Sequence, residues 1–433
     1  KNLAKYLLVL AIPNNFTMFL SRLVSLINVQ IKLSNFLGIS KIAWNPTTST
    51  WKPIRTTKLE RLIMYLPRKL LFIFYGIFLV LNNFRLSRYL DTPKFLRSSY
   101  WVLTYLGFSP IYLMNPQACT QMLNVLLHFE TFQLNRSEDR ENSKKSSGLL
   151  KLSQFWLIQM CLTSVGIPIC VTVLKLLDPC MAPMLRSIYL SRGEVIQCNN
   201  LPPMGLTLGV IDSFEFLVWY WFASHAAFLV GTSYGTVLTS ILAYVEALDK
   251  QGACSKKNSN KTRPIYSKNF YSVYHLNSKT TSPTLSLYKR IKVIESIYNS
   301  RFQSFHLTFF YSAGCLAVIF GAFLTISFAH EISLDQIALL VYPLIALDAL
   351  GMTLFICYAS GKANLVSKKV TKNCLRKINC GRFASLKWRI VRAASPLKIR
   401  FGSNFMEIGT TFMTMNFCFS STVNLLLLSN RKH

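Results

Sequence analysis

Seven stretches of this chain are long and apolar enough to cross a bilayer: residues 62–84, 103–128, 154–177, 207–247, 304–329, 336–360 and 405–428. A helix rises about 1.5 Å per residue, so about 20 residues cover the roughly 30 Å hydrocarbon layer. Inside lipid, backbone polar groups must be satisfied within the protein, and runs of this length satisfy them as helices. The chain is therefore expected to be an all-α membrane protein with seven transmembrane helices. The first run is the weakest, because Arg68 and Lys69 interrupt it. Residues 1–61 are expected to form a cytoplasmic or interfacial helical region, 62–428 the transmembrane domain and 429–433 a short tail.

Charge supports the same class and orients it. Only 15% of the 433 residues are charged, yet the net charge is +31; a soluble domain carries about 25% charged residues. Basic nucleic-acid-binding proteins lack repeated membrane-length runs, and no pattern of a nucleic-acid-binding fold occurs. With the N-terminus cytoplasmic, the inner segments hold 37 of the Lys and Arg residues and the outer ones 8. That bias places the C-terminus outside. The two long inner loops, 249–301 and 361–401, are strongly basic, and the second has twelve basic and no acidic residues. Attraction to anionic inner-leaflet lipid and a plain topology signal both account for this.

Enzyme chemistry finds little support. No nucleophile elbow, P-loop or paired metal-ligand motif occurs, and no cofactor is implied. Of eleven cysteines, Cys180 and Cys198 share an outer loop and are a candidate disulfide.

Polar residues inside the spans carry more information. Asp212, Glu215 and Asp348 lie within them. A carboxylate at mid-membrane costs about 2.5–3.5 kcal/mol on insertion scales, so each is expected to face the bundle interior or an aqueous cavity. "DSFEFLVWYWFASH", from Asp212 to His225, is the most aromatic stretch of any span. It reads either as the wall of a small-molecule pocket or as an interfacial aromatic belt.

The last span, "FMEIGTTFMTMNFCFSSTVNLLLL", has no Lys, Arg or Asp but is polar along most of its length. At 100° per residue Glu407, Thr410, Thr411, Thr414, Ser421 and Thr422 share about 120° of arc. Asn416 and Ser420 lie opposite. Hydroxyls of this kind act as glue between helices, or they line a water path. A leucine run follows, and apolar constrictions gate by dewetting. One helix cannot enclose a pore, whereas several copies around an axis can.

This layout resembles the arthropod gustatory and odorant receptor superfamily, in a divergent, gustatory-receptor-like form. The long basic loops before spans five and seven match, as does the hydrophobic-Gly turn in "NFLGISKIAWNP". At the C-terminus Phe405, Ile408 and Thr422 sit at suitable spacing. Val423 replaces the family's Tyr, and Ser429-Asn430 stand where Gln-Phe is expected. The resemblance implies a ligand-gated, non-selective cation channel in the plasma membrane. It implies a homo- or hetero-tetramer of related subunits, gated by a small-molecule tastant or odorant and surrounded by membrane lipid. It puts the gate at Leu426 and a filter residue at Ser429, whereas periodicity centres Leu425 on the polar face. By location the pocket would draw on Trp101, Tyr112, Trp156, Asp212, Phe216, Trp219, Tyr220 and Tyr342. The pore would draw on Glu407, Thr411, Thr414, Ser421, Leu425, Leu426 and Ser429.

Two other classes are weighed against this one. A G-protein-coupled receptor needs the opposite orientation, and its acidic-Arg-Tyr and Asn-Pro-x-x-Tyr motifs do not occur. An ion-coupled transporter would use Asp212, Glu215 and Asp348 as coupling sites, but no internal repeat is seen. The orientation is directly testable. An antibody is expected to reach a C-terminal tag on intact cells, and Asn135 and Asn260 are expected to carry no glycan; a glycan on either reverses the topology.

Overall fold

The computed structural model describes residues 19–36, 42–54, 58–88, 92–112, 116–131, 147–177, 183–187, 206–257, 283–302, 306–327, 341–376 and 384–430. Among these, six helical stretches are long and apolar enough to cross a membrane. They fall in α2 (Lys58–Leu86), α5 (Ser147–Leu177), the composite α6 (Leu206–Ala227), π-turn (Phe228–Thr236) and α7 (Val237–Lys257), α9 (His306–Ser327), α10 (Val341–Arg376) and α12 (Ile408–Asn430). Residues 103–128 fall in α3 (Thr92–Tyr112) and α4 (Pro116–Phe129), with 113–115 outside the described residues.

Before the spans, α1 (Val24–Phe36) packs against α5 and α6. Its entry is held by the buried Glu130, which accepts hydrogen bonds from the N–H groups of Leu20 (2.6 Å) and Ser21 (3.2 Å) and from the Tyr244 hydroxyl (3.1 Å). Burial raises the Glu130 carboxyl above its usual value, and these donors act against that rise. A hairpin follows, β1 (Ile42–Asn45) with β2 (Thr50–Pro53), pairing Trp44 with Trp51. Asn45 Oδ1 accepts the Thr47 N–H at 3.1 Å, an Asx turn that reverses the chain.

Two helices run well past their apolar cores. α10 continues sixteen residues beyond 360, into what hydropathy alone reads as a basic loop. No Gly or Pro interrupts residues 362–376, and the Lys-rich face is solvated while Ala363, Asn364, Val366, Ser367 and Val370 stay buried. The amphipathic α11 (Ala384–Ala393) and α8 (Pro283–Phe302) join it at this basic end.

The helix seams depend on small residues. A Cβ on Gly321 would stand 2.8 Å from that of Ala346, so α9 and α10 meet almost backbone to backbone. In the π-turn, Gly231 and Gly235 leave the space that Met160 and Trp156 of α5 fill. The Thr236 hydroxyl reaches back five residues to the Gly231 carbonyl (3.0 Å), the spacing a π-turn presents.

At the basic end, a Cβ on Gly361 would run into the Ile408 backbone at the start of α12. Gly361→Ala is expected to destabilise the detergent-solubilised protein by about 1–3 kcal/mol through overpacking. Gly166→Ala and Gly209→Ala, where nothing lies within 4 Å of the added carbon, are expected not to. Thermal unfolding of the three variants checks this.

Candidate functional site

A cavity of about 40 Å³ lies between α3, α5, α6, α9 and α10. Phe108, Met160, Phe222, Phe310 and Met352 supply apolar walls, and Thr104, Thr163 and Asp348 supply polar atoms. Asp348 Oδ1 accepts from the Gln159 side-chain amide at 2.5 Å, and Oδ2 accepts from the Thr163 hydroxyl at 3.1 Å. The volume holds a few water molecules, well short of the ~300–1,000 Å³ of a drug-sized pocket.

An aromatic layer adjoins the cavity. Trp219 is fully buried and meets Trp101 edge-on at 5.5 Å, Tyr105 at 5.6 Å and Phe222 at 5.4 Å. Tyr342 lies 6.2 Å from Trp101 and 5.5 Å from Tyr100. Edge-to-face pairs of this kind add about 0.5–1.5 kcal/mol beyond their buried area.

An ion-pair cluster closes the end of the bundle beyond that layer. Lys175 of α5, 1% exposed, lies 3.3 Å from Asp212 and 3.2 Å from Glu215. Arg186 pairs with Asp212 at 3.0 Å. Glu215 also accepts the Tyr75 hydroxyl (2.9 Å) and the Leu185 N–H (2.7 Å). Asn82 donates to the Pro183 carbonyl at 2.8 Å. Segment 183–187 is thereby fastened to α2 and α6.

The positions inferred from sequence divide among these features. Trp101, Trp219 and Tyr342 form the aromatic layer, and Asp212 is in the ion-pair cluster. Trp156 stacks on Phe355 at 4.3 Å. Phe216 stacks on Tyr220, whose hydroxyl donates to the Leu33 carbonyl of α1 at 3.0 Å. Tyr112 ends α3, with its side chain outside the described residues, where Cys180 and Cys198 also lie. None of the seven whose side chains are described lines the cavity. Large rings fill space, and the void opens where α6 presents Ala223, Ala226 and Ala227 towards Ala349 of α10. That cluster of small residues was the available signal.

The last helix docks on α9 and α10 along one stripe. Thr414 is buried and shares a 2.5 Å hydrogen bond with the Tyr311 hydroxyl. Cys418 and Thr422 are buried too, and Thr422 donates to the Cys418 carbonyl at 2.8 Å. Thr411, Ser421, Leu425, Leu426 and Ser429 are half-buried. Glu407 is exposed, 3.7 Å from Lys368. The open side carries Phe412, Met413, Phe417 and Phe419, interrupted by exposed Asn416, Ser420 and Asn424 at four-residue spacing.

A strap leads into this helix. Residues 395–400 run between α11 and the small hairpin β3 (Arg400–Phe401) and β4 (Asn404–Phe405). Side chains of α8 and α10 bind its backbone. Tyr288 and Lys292 donate to the carbonyls of Ser395 (2.9 Å) and Pro396 (3.0 Å). Asn364 donates to the Leu397 carbonyl (2.6 Å), and Ser367 accepts the Leu397 N–H (2.9 Å). Glu295 accepts the Lys398 N–H at 2.7 Å; Asn299 donates to the Lys398 carbonyl at 2.8 Å and accepts the Arg400 N–H at 3.0 Å.

No family model and no curated protein matches the chain. Among solved structures it is similar to the insect olfactory receptor OR5 from Machilis hrabei in complex with eugenol. The match has a TM-score of 0.64 at 12% identity and covers 93% of this chain and 97% of that one. A second structure of OR5 matches with a TM-score of 0.57 at 12% identity, over 92% and 97%. The chain thus has the insect olfactory receptor fold and is a multi-pass membrane protein. The structures it resembles are of a receptor, not an enzyme.

The ion-pair cluster makes a sharp stability prediction. Lys175→Met leaves Asp212 and Glu215 short of a cation and is expected to cost about 3–5 kcal/mol. Adding Glu215→Gln is expected to recover part of that loss, read as the midpoint of thermal unfolding.

Proposed function

We propose that the chain is a subunit of a chemosensory receptor that works as a ligand-gated, non-selective cation channel in the plasma membrane. In this reading seven spans cross the bilayer, the second built from α3 and α4, with the N-terminus cytoplasmic and the C-terminus outside. Four copies, identical or related, surround an axis, and a small-molecule tastant or odorant binds among α3, α5, α6, α9 and α10.

The observation that carries the reading is α12. It docks by one stripe and leaves most of its circumference uncovered, including Asn416, Ser420 and Asn424. Side-chain amides facing hydrocarbon are costly, so a wetted path shared with other copies suits them better than lipid. Glu407, Ser421 and Ser429 have the exposure to join that path, with Leu425 and Leu426 as its constriction, whereas the Thr411 hydroxyl is buried and would join only if the helix turned. Thr414 belongs to the seam with α9. The pocket would be the Asp348 cavity, enlarged at the expense of the Trp101–Trp219–Tyr342 layer, with Trp156, Phe216 and Tyr220 behind it.

The rivals gain little. Asp212 and Glu215 are neutralised by Lys175 and Arg186, which suits a structural cluster better than ion coupling. The olfactory receptor likeness favours a channel over a G-protein-coupled receptor.

Patch-clamp recording of the chain tests the proposal. Leu425→Ala or Leu426→Ala is expected to raise basal conductance several-fold by widening the constriction. Unchanged basal current at both positions removes the gate from this helix.

A further inference from the structure

The carboxylates and their counter-charges are unevenly matched. Asp212 and Glu215 have Lys175 and Arg186, Glu246 has Lys362, and Glu295 has Lys292. Among the described residues no Lys, Arg or His pairs with Asp348. It sits about 11 Å down α10 from Val341, within an apolar span. Its two partners, Gln159 and Thr163, are neutral donors that occupy one site on each oxygen. A carboxylate offers about four acceptor sites, so half of its capacity is unused. A charge at this depth without a counter-charge is costly to hold.

The unused capacity belongs to the wall of the cavity, which Asp348 lines. A second polar group lines it from another helix. Thr104 of α3 is 8% exposed, and its hydroxyl makes no hydrogen bond of ordinary length. The remaining walls include the rings of Phe108, Phe222 and Phe310, packed edge-to-face at 5.7 Å and 6.2 Å. Ring faces attract cations. Met160 and Met352 complete the lining, and these unbranched side chains yield to an incoming group more readily than branched ones. Gln159, Thr163 and Asp348 are half-buried, as are the lining residues Ile167, Ala226 and Ile345, so the polar rim is not sealed inside the bundle.

We propose that this cavity binds a protonated amine with a small apolar body. The ammonium group is held by Asp348 and capped by the Thr104 hydroxyl, and the body lies among the phenylalanine rings. An ammonium has donors and no acceptor, which complements a carboxylate already served by two neutral donors. A neutral alcohol fits the same walls but leaves the carboxylate without a counter-charge. The inference rests on the pocket assignment proposed above and adds the ligand class.

The test separates the two. The full chain, purified in detergent, is titrated by thermal shift with primary amines from ethylamine to 2-phenylethylamine, each beside its alcohol counterpart. Currents are recorded with the same compounds on cells expressing the chain. The wild type is expected to prefer an amine over its alcohol by at least tenfold in affinity. Asp348→Asn, whose amide oxygen can accept from Gln159 while its N–H donates to the Thr163 hydroxyl, is expected to abolish that preference while alcohol binding changes less than threefold. Asp348→Glu is expected to retain it. Absence of an amine shift in the wild type, or an amine preference that survives Asp348→Asn, overturns the inference. An equal loss of amine and alcohol in Asp348→Asn also overturns it, since that marks a structural role. Amine binding that evokes no current leaves the inference standing and overturns the channel reading instead; current without amine preference does the reverse.

Discussion

The position of the last helix is set by hydrogen bonds to a piece of extended backbone. Residues 395–398 lie outside the hairpin, and their peptide groups are met by side chains of Tyr288, Lys292, Glu295, Asn299, Asn364 and Ser367. Leaving one such buried group unmet costs about 1–3 kcal/mol, so the six act together to hold one path of the chain. The strap delivers the polypeptide to the hairpin and then to Ile408, which rests on Gly361. From there α12 keeps contact through the buried Thr414, Cys418 and Thr422, flanked by the half-buried Leu425 and Leu426, and its opposite face is open. A helix held firmly at one end and along one stripe is suited to work against copies of itself.

Much of the helical framework was legible because hydrocarbon leaves a chain few options. The apolar runs over 62–84, 154–177, 207–247, 304–329 and 405–428 each overlap a helix of membrane length among the described residues. What hydropathy missed lies where another rule decides. Lys362, Lys368 and Lys369 end the apolar run, yet the helix continues because its buried stripe continues. Residues 42–53, within a region expected to be helical, form a hairpin instead, because the Asn45 side chain turns the chain and Trp44 and Trp51 pair across it.

The site was legible in kind and less so in detail. That Asp212, Glu215 and Asp348 must face inward followed from the cost of burying charge. Which cation met which carboxylate did not, since Lys175 precedes Glu215 by forty residues and Arg186 comes from a segment outside the spans. The aromatic stretch was found, but its rings fill the interior, and the empty space is set by alanines. On α12 the arc grouping Thr411, Thr414 and Thr422 is largely the docking stripe, because hydroxyls that satisfy their own helix carbonyls can be buried, as Thr414 and Thr422 are. Asparagine side chains cannot do this as readily, which is why Asn416 and Asn424 stay on the open side.

The cluster at the far end of the bundle contains two cations, Lys175 and Arg186, and two anions, Asp212 and Glu215. Its formal charge is zero. A potential across the bilayer acts on net charge, at about 2.3 kcal/mol per charge per 100 mV. The four clustered side chains therefore give such a potential no net charge to act on, and their neutrality belongs to the joint between segment 183–187, α5 and α6.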